Sequence, residues 1–310
     1  MLSFRFPPML ARRTVAAPAG AADVTGRYPV PRSGGRPPLL RSTCAPGRRN
    51  PYTRTMNELS HILNLRDLGG IPVAGGKRVR HGRLYRSASI DDITPKEKRA
   101  LVRDLGVGAI IDLRSGLGRT SDPYVPGTLQ VHVPLVPMRK TMELTFEDGN
   151  LRQFLRGKWR PDTYDVCGIY RRMVDPQTAP RWAQIFRVLV DSDGSAVLWH
   201  CANGKDRTGL VAAVILKALG ASDADIRADY LQSNWQLAAH RTALLVNAAQ
   251  TGKKPRVPQM LGPLLEARPE FLNAAFDAID EGYGSFDGFM EDAVGFSIAE
   301  DDRLRSLFLE

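Results

Sequence analysis

Short hydrophobic runs alternate with amphipathic segments from residue 59 to the end of the chain. The run VGAIIDL at Val107–Leu113 is rich in β-branched residues, which is typical of a strand buried on both faces. Thr94 is a suitable N-cap for a helix over Pro95–Leu105, which Gly106 would end. The other predicted strands are Leu84–Ser87, Leu129–Val133 and Ala196–His200.

The second half of the chain is predicted to be mainly helical. Strands that alternate with helices imply an α/β fold with a central, mostly parallel sheet flanked by helices, here with a helix-rich C-terminal part. Residues 138–178 have a less regular pattern, and a mostly helical connection fits them best. We predict helices over Pro180–Val190, Gly209–Leu219 and Asp223–Asn247, followed by helices centred near residues 275, 290 and 304.

Residues 1–55 differ from the rest of the chain in composition. They hold nine of the 22 prolines and show no hydrophobic period, so they cannot bury enough apolar surface to offset the entropy of ordering. We therefore predict a disordered N-terminal extension before a single domain over residues 56–310. Two explanations of the extension stay open. Its Arg-rich, acid-poor composition is similar to a targeting segment, and Met56 could instead be the true first residue.

The positive charge of the chain is concentrated in this extension. The net charge of +10 includes ten arginines and a single acid within residues 1–55, which leaves a net of +1 for the remaining residues. A nearly neutral domain argues against nucleic acid as a partner. No run approaches the roughly 18 apolar residues of a membrane span. Three cysteines are too few for a disulfide framework, so we expect a reducing, cytoplasmic location, with secretion or organelle targeting by residues 1–55 as the alternative.

One segment, HCANGKDRTG at His200–Gly209, carries candidate chemistry. It joins a predicted strand to a predicted helix, so backbone N–H groups of the loop and of the helix start would converge on one point and bind a phosphate dianion. Cys201 opens the loop and Arg207 closes it, with five residues between them. The helix N-terminus, Arg207 and Lys205 would favour the thiolate form of Cys201. The planar guanidinium of Arg207 would bind two phosphate oxygens.

Other residues of the segment have supporting roles in this hypothesis. Thr208 could donate its hydroxyl to the sulfur and so make it a better leaving group in a second step, and His200 could orient the loop. The glycines would allow the backbone to approach closely. The predicted phosphate-binding residues are Ala202, Asn203, Gly204, Lys205, Thr208 and Gly209.

Simpler interpretations compete with this one. A cysteine is often only a small buried apolar residue, and an arginine six positions later arises easily by chance. Neither Cys44 nor Cys167 has such an arginine; Cys167 is expected to pack in the core, with an oxidative disulfide to Cys201 as the alternative. Gly204-Lys205 fails as a nucleotide loop because the pattern GxxxxGK[ST] is broken at both ends. A catalytically inactive module that binds phosphoproteins or phosphoinositides stays open as the alternative function.

The segment HCANGKDRTG resembles the phosphate loop of the protein tyrosine phosphatase superfamily. Its Lys-Asp-Arg form resembles that of a microbial branch of tyrosine and dual-specificity phosphatases, which includes phosphoinositide-active members. The resemblance extends over residues 59–310 and implies a fold like that of the protein tyrosine phosphatases. The other motifs that carry it are NLRDLGG at 64–70, GRLYRS at 82–87, IDLRS at 111–115 and YGSFD at 283–287.

The resemblance implies a cysteine-dependent phosphatase that needs no metal or organic cofactor. Cys201 would be the nucleophile and would form a phosphocysteine intermediate. Arg207 would clamp the phosphate, and Lys205 would be a second cation that favours highly charged head groups. Phosphotyrosine and phosphoserine or phosphothreonine in a phosphoprotein, as well as phosphoinositides, stay open as substrates.

The general acid is the part of the site that departs from the wider superfamily. No Trp-Pro-Asp element precedes the loop, because Trp182 is followed by Ala and Gln. Asp206 inside the loop is the first candidate for protonating the leaving group and Asp112 is the second; either could instead only hold its neighbours by hydrogen bonds. Arg66 and Asp67 would line the pocket, although Asp67 could simply form a turn.

Overall fold

The computed structural model describes most of the predicted domain. Residues 1–54 of the predicted N-terminal extension and residues 138–164 of the predicted connection lie outside the described residues. The remainder of that connection is mainly helical, in agreement with the prediction. The described ranges are residues 55–56, 58–115, 124–135, 165–251 and 265–310, with side chains up to residue 246 in the fourth range.

Five strands form one sheet in these residues: β1 (Arg66–Asp67), β2 (Leu84–Ser87), β3 (Val107–Asp112), β4 (Leu129–His132) and β5 (Ala196–His200). Their order is β1-β2-β5-β3-β4, and every neighbouring pair is parallel except β1 with β2. The central strand β5 pairs Val197 with Leu84 on one side and Leu198 with Ile110 on the other. The prediction of a mostly parallel sheet is confirmed, and β2 and β5 have the predicted bounds.

Nine α-helices occur in the described part of the chain: α1 (Pro95–Arg103), α2 (Val166–Met173), α3 (Ala179–Asp191), α4 (Asp206–Ala218), α5 (Asp223–Gln236), α6 (Ala238–Thr251), α7 (Pro269–Tyr283), α8 (Phe286–Phe289) and α9 (Ile298–Phe308). Helix α1 begins where it was predicted, because Thr94 and Glu97 form a reciprocal capping box at its first turn. The helices predicted near residues 275, 290 and 304 are confirmed by α7, by α8 with the π-helical Met290–Val294, and by α9.

The predicted long helix over Asp223–Asn247 is wrong, because the structure has two helices there. The backbone of Leu237 has a ψ of 5°, far from the helical value of about −42°, and this ends α5 before α6 begins. Neither Gly nor Pro marks the break. The side chain of Leu237 is buried, so tertiary packing outweighs the helical propensity of the segment. Helix α4 also begins three residues earlier than predicted, at Asp206.

The hydrophobic core lies on both faces of the sheet. Along β5, Val197 and Trp199 belong to one hydrophobic cluster while Ala196 and Leu198 belong to another, and alternate residues of a strand point to opposite faces. Every residue of β5 is buried, and so is nearly every residue of α4. The turn from β5 into α4 is therefore fixed at the carboxyl edge of the sheet. None of the described helices is long and apolar enough to cross a bilayer.

Candidate active site

The predicted phosphate loop lies between β5 and α4. Cys201 directly follows the last residue of β5 and is only 2% exposed. Arg207 and Thr208 lie in the first turn of α4, and both are buried. The indole Nε1 of Trp199 donates a hydrogen bond of 3.1 Å to the carbonyl oxygen of Thr208, which ties the end of the strand to the start of the helix. The structure thus brings the predicted nucleophile and the predicted phosphate clamp into one strand–loop–helix unit.

The carbonyl oxygen of Gly204 is held from behind the loop by two side chains. Asn64 Nδ2 donates to it over 2.7 Å and Arg86 Nη2 over 2.9 Å. Asn64 Nδ2 also lies 3.3 Å from the carbonyl oxygen of Asn203. The backbone of Asn64 is left-handed, with a φ of 59°, a conformation that Asn tolerates better than most residues.

The carbonyl oxygen of Ala202 also has a partner: it accepts the backbone N–H of Ser89, two residues after the end of β2, at 2.9 Å. Three consecutive carbonyl groups of the loop are thus engaged. Within the described residues, the N–H groups of Ala202, Asn203 and Gly204 donate to no other group. Backbone donors left in this way next to a helix N-terminus form a site for an anion.

Gly204 allows the loop to lie directly against the end of β2. Its φ is +64°, a backbone conformation that residues other than Gly rarely adopt. A Cβ at this position would lie 2.5 Å from backbone atoms of Ser87 and Ala88. Backbone atoms at the end of a buried strand cannot move aside, so a side chain at residue 204 would displace the loop.

A buried ion cluster supports the two side chains that hold the loop. Asp229 accepts from Arg86 Nη1 at 2.5 Å and from Arg66 Nε at 2.8 Å. Arg66 Nη1 in turn donates to the side-chain oxygen of Asn64. Burial alone would raise the pKa of Asp229, but the two guanidinium groups outweigh it and lower the pKa. Burial, then the charge of Arg86, lowers the pKa of Arg66 to about 10, so it stays a cation at neutral pH.

Comparisons with known proteins agree with this geometry. The model of the tyrosine phosphatase family matches residues 57–310. The chain belongs to the tyrosine phosphatase family. It is 34% identical over 241 residues to a Cupriavidus necator protein that carries the name of a tyrosine-protein phosphatase. The aligned region covers 77% of this chain and 84% of that protein. It is 30% identical over 280 residues to the triple specificity protein phosphatase PtpB of Mycobacterium tuberculosis, which covers 82% of this chain and 99% of PtpB.

Within this tyrosine phosphatase loop, Lys205 and Asp206 have close partners. Lys205 is buried, and its Nζ lies 3.0 Å from the carbonyl oxygen of Glu266 and 3.4 Å from Asp206 Oδ1. The carboxylate of Asp206 accepts a hydrogen bond of 2.9 Å from the hydroxyl of Tyr170, and its side chain is 37% exposed. Asp206 thus keeps access to solvent at the mouth of the loop.

Asp112, the second candidate acid of this tyrosine phosphatase, is paired with Arg114. Its carboxylate accepts the backbone N–H, Nε and Nη2 of Arg114 within 3.2 Å. Burial would raise the pKa of Asp112, but the hydrogen bonds from Arg114 and the charge of its guanidinium outweigh it and lower the pKa. Arg114 also pairs with Asp91 at 2.5 Å. Asp112 is therefore ionised at neutral pH.

Of the remaining predicted site residues, His200 and Thr208 adjoin Cys201 and Arg207 in the chain. The carboxylate of Asp67 lies instead beside Gly82, before the first residue of β2, and not at the Ser87 end of that strand, which contacts the loop. Asp67 accepts the backbone N–H groups of Gly69 and Gly82 at 2.9 and 2.8 Å, so its carboxylate closes a turn. Burial lowers the pKa of His200, an effect that the nearby Asp112 partly opposes, so its ring is neutral at pH 7. Thr208 Oγ1 is buried without a hydrogen-bond partner in the described residues, as is His200 Nδ1. No group of three His, Cys, Asp or Glu side chains suited to a metal ion occurs in the described ranges.

Sequence reasoning did not single out Asp229, Arg86 or Tyr170. The signal for Asp229 was its position between Ile226 and Tyr230, because a carboxylate within an apolar stripe of a helix needs a buried partner. No comparable signal marks Tyr170, which lies next to the part of the chain with the least regular pattern. Cys167, predicted to pack in the core, is half-buried, and its Sγ lies 3.8 Å from the carbonyl oxygen of Glu270.

We predict that Gly204→Ala destabilises the protein more than Gly106→Ala does. Both glycines have a φ near +65°, but only at Gly204 would a Cβ meet other atoms within 4 Å. Gly106→Ala should cost about 1 to 2 kcal/mol for the backbone conformation alone. Gly204→Ala should cost about 1 to 3 kcal/mol more, because the loop must also shift, and it alone should abolish phosphatase activity.

Urea unfolding followed by tryptophan fluorescence, together with phosphatase assays, measures both effects. Equal losses of stability in the two variants, with activity retained in Gly204→Ala, would contradict the close approach of loop and strand.

Proposed function

We propose that this tyrosine phosphatase works by covalent catalysis at Cys201. The thiolate attacks phosphorus, an S–P bond forms, and the P–O bond to the leaving group breaks. Water then attacks the phosphocysteine, the S–P bond breaks, and inorganic phosphate leaves. The observation that carries the proposal is the set of carbonyl groups held behind the loop, since these leave the backbone N–H groups available to the phosphate oxygens.

The charge that develops on the equatorial oxygens has several partners in this proposal. The N-terminus of the 13-residue helix α4 supplies a partial positive charge at the loop. Arg207, in the first turn of that helix, supplies a planar pair of N–H donors for two oxygens. Thr208 Oγ1, buried at the same turn, would donate to the sulfur as it leaves in the second step. This arrangement stabilises charge with amides and guanidinium and requires no metal or organic cofactor.

Asp206 fits the role of general acid better than Asp112 does. Asp112 is buried and receives three donors from Arg114, so protonating it would break a buried ion pair. Asp206 is partly exposed within the loop and has a single close hydroxyl donor, Tyr170. We assign the proton for the leaving-group oxygen to Asp206.

The proposed substrates are phosphotyrosine, with phosphoserine or phosphothreonine and phosphoinositides as further candidates. The name of the mycobacterial relative, a triple specificity phosphatase, supports a broad substrate range. Lys205, buried beside the loop, could add a second positive charge for a polyphosphorylated head group. The family match over residues 57–310 supports the proposal of one phosphatase domain over residues 56–310.

We predict that Cys201→Ser loses at least about 10³-fold in turnover, which is about 4 kcal/mol of barrier. The serine hydroxyl is a much weaker nucleophile than the thiolate. Release of inorganic phosphate should be measured with an aryl phosphate, phosphotyrosine and phosphothreonine peptides, and phosphoinositide vesicles, all with chelator present. Cys167→Ser is the matched control and should keep full activity. Should the wild-type protein bind these ligands but turn over none of them, the inactive binding module becomes the better hypothesis.

We predict that Asp206→Asn slows the hydrolysis of substrates with a poor leaving group by about 10²-fold or more. The rate of hydrolysis of substrates with a good leaving group, such as nitrophenyl phosphate, should fall much less, because the leaving-group oxygen departs without needing a proton. The basic limb of the pH–rate profile should disappear as well. Asp112→Asn is the comparison variant, and it should be less stable yet keep the basic limb. If the two variants exchange these behaviours, Asp112 is the acid.

We predict that Lys205→Ala loses roughly tenfold or more in kcat/KM on a phosphoinositide, the size expected for one charge-assisted hydrogen bond. The loss on a phosphotyrosine peptide should be smaller, since that substrate has no second phosphate. Lys217→Ala, which removes a partly exposed lysine from the helix that follows Lys205, is the control. Equal losses on both substrates would show that Lys205 does not select the head group.

A further inference from the structure

Two buried tyrosines connect Asp206 to the helices behind the loop. The hydroxyl of Tyr170, on α2, lies 2.9 Å from Asp206 Oδ1 and 2.8 Å from the hydroxyl of Tyr230, on α5. Neither ring is exposed. Tyr170 is further held by Phe271, with ring centroids 5.8 Å apart, and by an edge-on contact with the ring of Tyr230. The hydroxyl of Tyr170 therefore has a fixed position beside the carboxylate.

The proton count gives this chain of hydrogen bonds a direction. A phenol has one proton to donate, and an ionised carboxylate only accepts. Tyr170 donates its proton to Asp206, so the proton between the two phenols belongs to Tyr230. Both phenols stay neutral at physiological pH, because burial, followed by the charge of Asp206, raises the pKa of each. The two linked tyrosine hydroxyls thus donate to Asp206 Oδ1 over the whole pH range in which the enzyme would work.

The other charges near Asp206 come from its own loop and from the helices packed against it. Lys205 Nζ lies 3.4 Å from the same oxygen, Oδ1, and 3.0 Å from the carbonyl oxygen of Glu266. The charge of Arg86 partly opposes the rise in the pKa of Tyr230. Cys201 and Arg207 belong to the loop itself. Lys205 and Tyr170 thus both engage Oδ1, which leaves Oδ2 as the oxygen able to carry a proton.

We propose that Tyr170, itself held by Tyr230, is a positioning residue that fixes Asp206 Oδ1 and reserves Oδ2 for the proton given to the leaving group. The inference rests on the proposed role of Asp206 as general acid. The hydroxyl of Tyr170 does two things in it. It orients the carboxyl group, and it favours the ionised form, so the proton leaves more readily.

The test compares the wild-type protein with Tyr170→Phe, Tyr230→Phe and the control Tyr283→Phe. Tyr283 has a buried hydroxyl without a hydrogen-bond partner in the described residues, so its loss should change nothing. Tyr170→Phe removes a hydrogen-bond donor that stabilises the ionised carboxylate of Asp206 relative to its protonated form. The basic limb of kcat/KM on a poor leaving group should therefore move to higher pH, by about 0.5 to 1 unit. Tyr230→Phe should move it in the same direction by less.

A second measurement follows the protonation of the Asp206 carboxyl group directly. Carboxyl ¹³C NMR titration of the Asp206 resonance, assigned with Asp206→Asn, should show the same upward shift of its pKa in Tyr170→Phe. It needs no substrate, and thermal melts show whether each variant is folded. At the pH optimum, Tyr170→Phe should lower kcat/KM about tenfold for a substrate with a poor leaving group and only slightly for nitrophenyl phosphate.

The outcomes separate this inference from the proposed function. If Asp206→Asn keeps the basic limb, Asp206 is not the acid, and the assignment of Asp206 fails together with the positioning role of Tyr170, while catalysis at Cys201 is tested separately by Cys201→Ser. If Asp206→Asn loses the limb but folded Tyr170→Phe shifts neither the limb nor the NMR titration, only the positioning role of Tyr170 is overturned. A shift to lower pH in Tyr170→Phe would overturn it too, because the hydroxyl would then be acting against the ionised form.

Discussion

The proposed phosphate loop is held in place by contacts that depend on one buried carboxylate, that of Asp229. It lies between the guanidinium groups of Arg66 and Arg86, and each of these groups has a further task at the loop. Arg86 holds the carbonyl oxygen of Gly204 directly, while Arg66 orients Asn64, which holds the same oxygen. Removing a carboxylate from such a cluster leaves two buried cations without a counter-charge, which typically costs about 3 to 5 kcal/mol. The conformation of the loop therefore depends on this ion cluster remaining intact.

The charge of the cluster also matches the ligand that the loop would bind. Two guanidinium groups and one carboxylate leave a formal excess of one positive charge behind the loop. All three groups are buried, so salt screens them little. An apolar cluster could hold a strand against a helix equally well. A buried positive charge next to free backbone N–H donors makes the local potential positive, which would favour an anion at the proposed phosphate site.

Much of this arrangement was predictable because its signals are local. The β-branched run of β3 and the N-cap at Thr94 act within a few residues, and they correctly predicted a strand at β3 and the start of α1. The helix ends at Arg103, two residues before the predicted Leu105. The loop was predictable because its chemistry lies within His200–Gly209. The pairing of Arg86 with Asp229 was not, since 143 residues separate them and only the folded chain brings them together. The break at Leu237 has the same origin, because packing and not local sequence ends α5 there.

Helix α5 links the two halves of the proposed chemistry. Asp229 and Tyr230 are consecutive residues of this helix, yet one secures the loop that would bind phosphate and the other donates toward Tyr170 and Asp206. Ser233, one turn later, adds contacts to Asn64 and Arg66. A rotation or shift of α5 would thus disturb the anion site and the acid together. The sheet alone does not determine the geometry of catalysis in this phosphatase; it also requires a helix that follows the loop in sequence and supports it from behind.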